Sequence, residues 1–232
     1  MFHVKHVELA GAPPAALSVF GNRATTARQY AELLASAGVE RGLIGPRETD
    51  RLWERHLLNS AAVGELVPDG ARVVDAGSGA GLPGIPLALA RPDLQVTLVE
   101  PMLRRTEYLR EVIERLDLPI EVIRGRIQDP GVVQRIGEVD AVVCRAVAAL
   151  DKLIEWCLPV VVRGGRLLAI KGERAEEEVA RLRQDWARIG AGNIEVVRCG
   201  RDYLDPPATV VVVEKNQPAS RRPTRPRGRR QS

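Results

Sequence analysis

The chain has 232 residues and a mass of 25.4 kDa, enough for one well-packed domain with an appendage and too little for two ordinary catalytic domains. Hydrophobic residues at 45% and charged residues at 28% exclude wholesale disorder, a collagen-like repeat and a disulfide scaffold. The net charge of +4 arises in residues 216–232, which hold six arginines and no acid, because the preceding residues carry 28 basic against 30 acidic groups. The basic pI therefore belongs to the tail.

Compartment and redox state follow from composition. No apolar run reaches the roughly 18 to 20 residues that cross a bilayer, and the N-terminus lacks the basic-then-apolar layout of a signal peptide. We therefore expect a cytoplasmic protein without a membrane partner. Cys144, Cys157 and Cys199 are an odd count without metal-ligand spacing, and a single histidine lies beyond position 6. These features predict buried thiols and no metal site.

The N-terminal quarter predicts a helical cap over residues 13–68. Residues 1–12 follow no helical or strand period in their first half, and we expect them to be disordered. Apolar residues then recur at three- and four-residue steps, which predicts a helix that ends at Gly38. A second helix should begin near Pro46, which suits a first helical turn, and run to about Gly64. The apolar positions of the first helix are Leu17, Phe20, Ala24, Ala27, Ala31 and Leu34.

Beyond Pro68, short β-branched runs alternate with helical stretches. The predicted parallel strands are 72–75, 95–99, 120–123, 141–143 and 166–170, and the predicted helices lie near 84–91, 103–116, 130–136, 148–158 and 174–189. This alternation predicts a parallel doubly wound sheet, because parallel neighbours need crossover connections. Two final runs, 194–199 and 209–213, leave no room for a crossover and should form an antiparallel hairpin that turns through 205–207.

An α/β sheet of five parallel strands closed by an antiparallel hairpin is typical of class I S-adenosylmethionine-dependent methyltransferases, which have a Rossmann-like doubly wound fold. We assign residues 69–215 to this domain. The Pro- and Arg-rich residues 216–232 should form a disordered tail.

A glycine loop supplies the strongest chemical signal. Residues 73–84, VVDAGSGAGLPG, run from a strand through glycines into a helix, so backbone can approach a ligand at the carboxyl edge of the sheet. Leu82 stands where a dinucleotide fingerprint has its third glycine, and Asp75 would repel a pyrophosphate and meet the ammonium group of S-adenosylmethionine. No Lys-Ser or Lys-Thr follows, which excludes a P-loop. The predicted cofactor residues here are Asp75, Gly77, Ser78, Gly79 and Leu82.

Two further segments should complete the adenosine site. Glu100 follows the second strand about 20 residues after the glycine loop, where an acid binds ribose hydroxyls in nicotinamide enzymes and in methyltransferases alike. After the third strand, Ile127 could pack on the adenine face while Gln128 or a backbone group pairs with its edge. A plain loop is the competing interpretation of this weaker segment.

Arg145 follows the fourth strand, where base-amino methyltransferases carry an Asn- or Asp-Pro-Pro-aromatic signature that this chain lacks. An arginine there could hold a cofactor carboxylate, a phosphate or the O6 and N7 edge of a guanine. A structural salt bridge is the alternative. In the cap, Trp53, His56 and Ser60 share one helical side. His56 could pair with Ser60, and a structural or cleft-shaping role is favoured over acid-base chemistry.

The motifs together resemble one family. Residues 53–60 (WERHLLNS), residues 75–88 (DAGSGAGLPGIPLA), Arg145-Ala146 and Lys171-Gly172 closely resemble the bacterial small-subunit ribosomal RNA guanine-N7 methyltransferases, also called glucose-inhibited division protein B, over roughly residues 13–214. The resemblance implies methyl transfer from S-adenosylmethionine to N7 of a guanosine in the 530 loop of 16S ribosomal RNA. By position, Gly77, Leu82, Ile127, Gln128 and Arg145 are the implied cofactor contacts. The family usually has Ala-Glu where this chain has Ile127-Gln128, which favours a backbone contact there.

Catalysis and substrate binding need few side chains under this interpretation. N7 of guanine carries a lone pair without a proton, so no general base is required and alignment dominates the rate. Arg145 or Arg126 is expected to neutralise phosphate or engage the guanine edge. The partner is 16S ribosomal RNA or the 30S subunit, and we expect the protein to act as a monomer. Predicted RNA contacts are His56, Arg104, Arg105, Lys171, Arg174 and Arg201.

Three other functions remain open from the sequence. The chain could methylate another RNA, a protein or a small molecule, or it could bind RNA without turnover. A nicotinamide oxidoreductase is the weakest alternative. Methyl transfer to 16S RNA or a 30S particle, tested beside a free metabolite, separates ribosomal RNA methylation from the first of these alternatives. Tight binding of NADH in a titration would favour the third.

Overall fold

A computed structural model describes residues 11–145, 148–182, 186 and 190–216. Helices α1 (Pro14–Phe20) and α2 (Ala24–Leu33) open the chain, joined by a 3-10 turn at Gly21–Arg23 and followed by a π-helical turn at Leu34–Gly38. The single helix predicted here is therefore interrupted, because Gly21 takes a φ of +50° that no helix accommodates. Predicted disorder in residues 1–10 and 217–232 lies outside the described residues.

The second cap segment is continuous from Pro46 to Leu66, as predicted, but its helical type changes along its length. It comprises a 3-10 turn (Pro46–Arg51), a π-helical stretch (Leu52–Leu58), one α-turn labelled α3 (Asn59–Ala61) and a second 3-10 turn (Ala62–Leu66). Its apolar side is fully buried at Leu57 and Leu58. This segment packs the cap onto the sheet domain.

Within the described residues, seven strands form one sheet in the order β3-β2-β1-β4-β5-β7-β6. The strands are β1 (Arg72–Ala76), β2 (Gln95–Glu100), β3 (Glu121–Arg124), β4 (Val139–Arg145), β5 (Val161–Lys171), β6 (Ala191–Cys199) and β7 (Ala208–Lys215). The first five are parallel, and β7 runs antiparallel to both β5 and β6. The predicted doubly wound sheet with its terminal hairpin is confirmed.

Helices cover both faces of this sheet. They are α4 (Gly84–Ala90), α5 (Leu103–Arg115), α6 (Pro130–Ile136), α7 (Leu150–Cys157) and α8 (Ala175–Leu182). The cap, α4 and α5 form one apolar core with the sheet, and α6, α7 and α8 form a second core on the opposite face. Because both faces are buried, the parallel strands read as continuous apolar runs. Of the helix predicted over 174–189, residues 183–185 and 187–189 lie outside the described part of the chain.

Arg91 ties the cap to the sheet at the edge opposite the glycine loop. Its guanidinium donates to the carbonyls of Gly64 and Val67 at 2.8 and 3.0 Å, and it pairs with Asp69 and Asp93. These bonds from Arg91 hold the pKa of Asp93 well below its usual range. One side chain therefore satisfies the carbonyls at the end of the second cap segment.

We expect Arg91→Met to lower the free energy of unfolding by about 2 kcal/mol, because it leaves two cap carbonyls without their charged donor. Arg28→Met is the matched control, since Arg28 makes an exposed pair with Glu32 one helical turn away and should cost under about 0.5 kcal/mol. Urea unfolding of both variants checks the difference. Equal losses would show that Arg91 acts only through its surface charge.

Candidate functional site: a glycine-loop cleft between the sheet and the cap

The glycine loop is held against the neighbouring strand by its own backbone. The amides of Gly77 and Ser78 both donate to the carbonyl of Val99, at 2.8 and 3.2 Å. A Cβ at Gly81, where φ is +102°, would lie 2.5 Å from Ile85 Cδ1 and 2.9 Å from Tyr30 Oη. The loop therefore packs too closely against α4 and the cap for a larger residue at this position.

A cavity of about 710 Å³ opens where the parallel strands end, and the cap forms one of its walls. That volume lies within the range of pockets that hold a nucleoside-sized ligand. The sequence-predicted residues in its wall are Gly77, Ser78, Gly79, Leu82, Glu100, Ile127, Gln128, Arg145, Arg126, Arg105 and His56. The structure thus gathers most of the predicted site around one space.

Glu100 closes β2 with its carboxylate at the cavity wall, although only 1% of the residue is exposed. Oε2 accepts from the Gly79 amide at 2.9 Å, and Oε1 accepts from the Met102 amide at 3.0 Å. Arg105 lies 3.8 Å from Oε2. Each carboxylate oxygen has two acceptor sites, so Glu100 retains capacity for ligand hydroxyls while it braces the glycine loop.

Asp75 lies in β1, directly before the glycine loop. Its side chain is completely buried and is not part of the cavity wall. Oδ2 instead accepts from the Gly84 amide at 2.9 Å, at the first residue of α4. An acceptor oxygen in this position satisfies a backbone N–H of the first turn of α4 from below the loop. In this structure Asp75 shapes the loop, and its contact with the cofactor ammonium group stays a prediction.

The burial of Asp75 gives folding a pH dependence of definite sign. Oδ1 has no partner among the described residues, and burial raises the pKa of the carboxyl from 3.8 to about 7. The folded state therefore holds a proton that the unfolded state has already lost. The contribution of Asp75 to stability is fully present below about pH 4 and is lost as the pH rises towards 7.

We expect the unfolding free energy of wild type to fall steadily relative to that of Asp75→Asn from pH 4.5 to pH 7, because the amide does not titrate. Chemical unfolding at four or five pH values measures this difference. Curves that stay parallel would show that Asp75 is ionised throughout the range. Asp93→Asn, at the far edge of the sheet, serves as the control carboxylate.

The segment after β3 contributes three predicted residues to the cavity wall. Ile127 is buried, whereas Arg126 and Gln128 are exposed. Asp129 Oδ2 accepts from the Arg126 amide at 2.7 Å and fixes the turn. The turn thus presents one apolar surface flanked by two polar side chains, which suits the face and edge of a purine.

Arg145, at the end of β4, is hydrogen-bonded to the cap. One terminal nitrogen, Nη1, donates to Ser60 Oγ at 3.1 Å and to the His56 carbonyl at 3.4 Å, and Nη2 lies 3.1 Å from His56 Nδ1. His56 Nε2 lies 2.8 Å from Glu48 Oε2. His56 is thus bonded to Arg145, and not to Ser60 as its helical spacing suggests. Among the described residues, no carboxylate lies within 4 Å of Arg145. The alternative of a direct salt bridge is excluded for that part of the chain.

The protonation states in this cluster follow from burial and charge. Burial, followed by the positive charge of Arg145, lowers the pKa of His56. The hydrogen bond from His56 lowers the pKa of Glu48. Burial also lowers the pKa of Arg145, which remains a cation at any physiological pH. Near neutral pH the cluster is therefore a neutral imidazole between a carboxylate and a guanidinium.

The predicted RNA contacts divide by exposure. Arg104, Arg174 and Arg201 are exposed, and Arg105 is half-buried in the cavity wall. Lys171 differs from these arginines, because its side chain is only 9% exposed and is paired with Glu178. Its ammonium group donates to the Ala148 carbonyl at 2.8 Å and to Glu178 at 2.9 Å. A Lys171 committed to these two acceptors is unavailable for a phosphate.

Sequence reasoning missed much of the cavity wall. The cap supplies residues before its second segment, and α7 supplies an aromatic side chain with its neighbours. Glu48 is eight residues from His56, a separation that matches no contact spacing of a regular helix. No local signal therefore pointed to it. The missed residues include Leu43, Ile44, Gly45, Glu48, Arg55, Met102, Leu153, Trp156 and Cys157.

Two absences concern the described residues alone. Within them, no cluster of three or more His, Cys, Asp or Glu side chains could hold a metal ion. Over the same ranges, no helix has the length and apolar character required to span a membrane. All three cysteines are buried and unpaired.

The parallel sheet with its antiparallel seventh strand, and the glycine loop after β1, define a class I methyltransferase. Solved structures support this class at the level of fold. The chain is similar to a methyltransferase from Pyrococcus furiosus, with a TM-score of 0.53 and 17% identity over 67% of this chain and 80% of that one. It is also similar to TYW2 of M. jannaschii in complex with AdoMet, with a TM-score of 0.52 and 21% identity over 71% and 77% of the two chains.

The chain belongs to the rRNA small subunit methyltransferase G family, whose model matches residues 23–204. Curated relatives of that name are 56% identical over 94% of both chains in Mycolicibacterium paratuberculosis and 61% identical over 87% and 88% in Mycobacterium marinum. A third, from Mycolicibacterium gilvum, is 55% identical over 98% of this chain and all of that one. The family identification made from the sequence motifs is confirmed, and it includes methylation of small-subunit ribosomal RNA.

Proposed function

We propose that this protein transfers a methyl group from S-adenosylmethionine to N7 of guanosine 527 in the 530 loop of 16S ribosomal RNA. The observation that carries the proposal is the composition of the cleft. Its wall presents arginines around the glycine loop, and His56, the one histidine that the described residues place there, is neutral with both ring nitrogens engaged. A cleft of this kind suits a nucleophile that has no proton to lose.

The residues present fit the proposed cofactor. Glycine backbone at 77 and 79 leaves room beside the loop, and Glu100 places a carboxylate at the end of the second strand. Ile127 and Gln128 offer an apolar surface and an adjacent polar group for the adenine. When bound there, S-adenosylmethionine supplies a methyl group activated by its sulfonium sulfur. The glycine loop, Glu100 and Ile127 are the residues that would hold it.

Guanine N7 needs alignment more than chemical activation. Its lone pair forms the new C–N bond as the S–C bond breaks, and no proton moves in that step. Holding the two reactants at contact distance therefore provides most of the rate enhancement. The base becomes positively charged on methylation, so a cation directly over the ring would oppose the reaction. Arg145 and Arg126 are better placed at phosphate oxygens or at O6.

The test compares three acceptors with one methyl donor. Purified protein is incubated with labelled S-adenosylmethionine and 30S subunits, bare 16S RNA or a free metabolite pool, and the modified base is mapped by borohydride reduction and aniline cleavage. We expect incorporation into RNA at one guanosine. Gly77→Asp, which places a charged side chain at a residue with φ of +75°, should abolish cofactor binding and methylation together. RNA methylation retained by that variant would refute the assigned site.

A further inference from the structure

Arg145 is held in the cleft by acceptors that carry no charge. Ser60 Oγ, the His56 carbonyl and His56 Nδ1 all belong to the second cap segment, whereas Arg145 ends the central strand β4. These contacts use three of the five N–H donors of the guanidinium. The cap thus fixes the direction of the guanidinium without neutralising it, and leaves donors for a ligand.

Glu48 determines which nitrogen of His56 can accept. A carboxylate 2.8 Å from Nε2 requires a proton on that nitrogen. Nδ1 of the neutral ring then carries a lone pair, which is what the N–H of Arg145 needs at 3.1 Å. Without Glu48, the proton could reside on either nitrogen. The carboxylate therefore acts on Arg145 through the imidazole, although it does not touch Arg145 itself.

We propose that Glu48 and His56 are positioning residues that hold the Arg145 guanidinium in its productive orientation, so that the cap sets the geometry of methyl transfer. The inference rests on the proposed function, since it names how this chain orients a cleft arginine for that reaction. His56 is neither acid nor base under this proposal. Both of its ring nitrogens are already engaged, and its second partner is a cation.

The charges that face His56 give the arrangement a pH dependence. Glu48 lies at Nε2, Arg145 lies at Nδ1, and Arg55 stands 3.2 Å from the same Glu48 oxygen. A proton added to Nδ1 would point at the guanidinium of Arg145 and break the contact. Because burial and Arg145 lower the pKa of His56, the contact persists through neutral pH. Activity should fall on the acid side as His56 becomes charged.

The first readout is the tautomer of His56, which does not depend on activity. Long-range ¹H–¹⁵N spectra of uniformly labelled protein distinguish a protonated ring nitrogen from an unprotonated one, and His56→Asn identifies the His56 signals among the three histidines. We expect Nε2 protonated and Nδ1 unprotonated at pH 7.5. In Glu48→Ala the preference should weaken to a mixture. A wild-type ring with its proton on Nδ1 would overturn the proposal.

The second readout is single-turnover methylation of 30S subunits. We expect His56→Ala to lower the rate roughly 10- to 100-fold and Glu48→Ala roughly 10-fold, with KM for the 30S subunit within about twofold of wild type, because the loss is one of alignment. Two conservative variants should retain more of the methylation rate. Glu48→Gln keeps an acceptor oxygen for Nε2–H, and His56→Asn keeps an acceptor near the Nδ1 position. Both should exceed their alanine counterparts severalfold.

A purely structural role is separated by a matched control. Leu57→Ala removes buried volume from the same cap segment and leaves Glu48, His56 and Arg145 in place. At temperatures where thermal melts show all variants fully folded, Leu57→Ala should retain near-wild-type rates. Equal loss in Leu57→Ala and Glu48→Ala would overturn the proposal. If the wild type methylates no RNA, the proposed function fails, and the tautomer still tests the contact between Glu48, His56 and Arg145.

Discussion

Gly84→Ala is expected to lower the free energy of unfolding by about 3 kcal/mol, the upper end of the usual cost of overpacking. A Cβ there would overlap Leu98 Cδ2 and lie 2.7 Å from Asp75 Oδ2. The Leu98 side chain is fully buried, and Asp75 Oδ2 already accepts from the Gly84 amide at 2.9 Å. Neither neighbour can withdraw without opening the core or leaving the helix start uncapped. Denaturant unfolding measures the loss.

The effect should extend to the cofactor, because Asp75 and Gly84 bracket the glycine loop. We expect the affinity for S-adenosylmethionine to fall together with stability, as measured by calorimetric titration at a temperature where the variant is folded. Gly131→Ala is the matched control. Gly131 also lies in the first turn of a helix against the sheet, and a Cβ there meets nothing within 4 Å. That variant should be unchanged or stabilised by under about 1 kcal/mol.

Arg145→Lys is expected to reduce methyl transfer by roughly 100-fold while the protein keeps its fold. Lysine retains the positive charge but has a single nitrogen, which cannot bond Ser60 Oγ and His56 Nδ1 with the fork geometry of a guanidinium. The charge therefore remains in the cleft in an undefined direction, and misalignment near the reacting atoms costs about this factor. Single-turnover kinetics on 30S subunits measures the rate.

The comparison for Arg145 is an arginine of the same sheet that lies far from the cleft. Arg163 is exposed in β5, beside a smaller cavity lined by Pro68, Asp140 and residues 162–166. Arg163→Lys should leave both kcat and stability unchanged. Should Arg145→Lys keep more than half of the wild-type rate, the directed donors of Arg145 would have no part in the reaction.

Repeating patterns explain why the fold could be predicted. Two strands of the parallel sheet, β2 and β4, are largely apolar runs that end at a polar residue, Glu100 or Arg145. The helices repeat their apolar residues with the helical period. The glycine loop is equally local, since a strand, three glycines and a helix follow one another within 12 residues. Such signals depend only on neighbours in the chain. The fold class and the family that they predicted are both confirmed.

Packing between elements explains where side chains differ from the sequence-based expectation. Lys171 has the positive charge expected of a phosphate contact, but its ammonium group is bonded to Glu178, which lies seven residues further on, in α8. Asp75 has the position of a ligand contact, but the close approach of α4 directs its carboxylate beneath the loop. In each case the deciding partner comes from an element whose placement depends on packing.

By itself, the sequence determined the strand and helix alternation, the glycine loop with Glu100 after it, and the family, because all of these are written in contiguous residues. Only the tertiary structure decided that the cap forms a wall of the cleft and that His56 bonds Arg145 across 89 positions of the chain, with Glu48 at its other ring nitrogen. Buried polar groups are hydrogen-bonded to the partners that packing brings close to them, and the local spacing of residues does not reveal which partners these are.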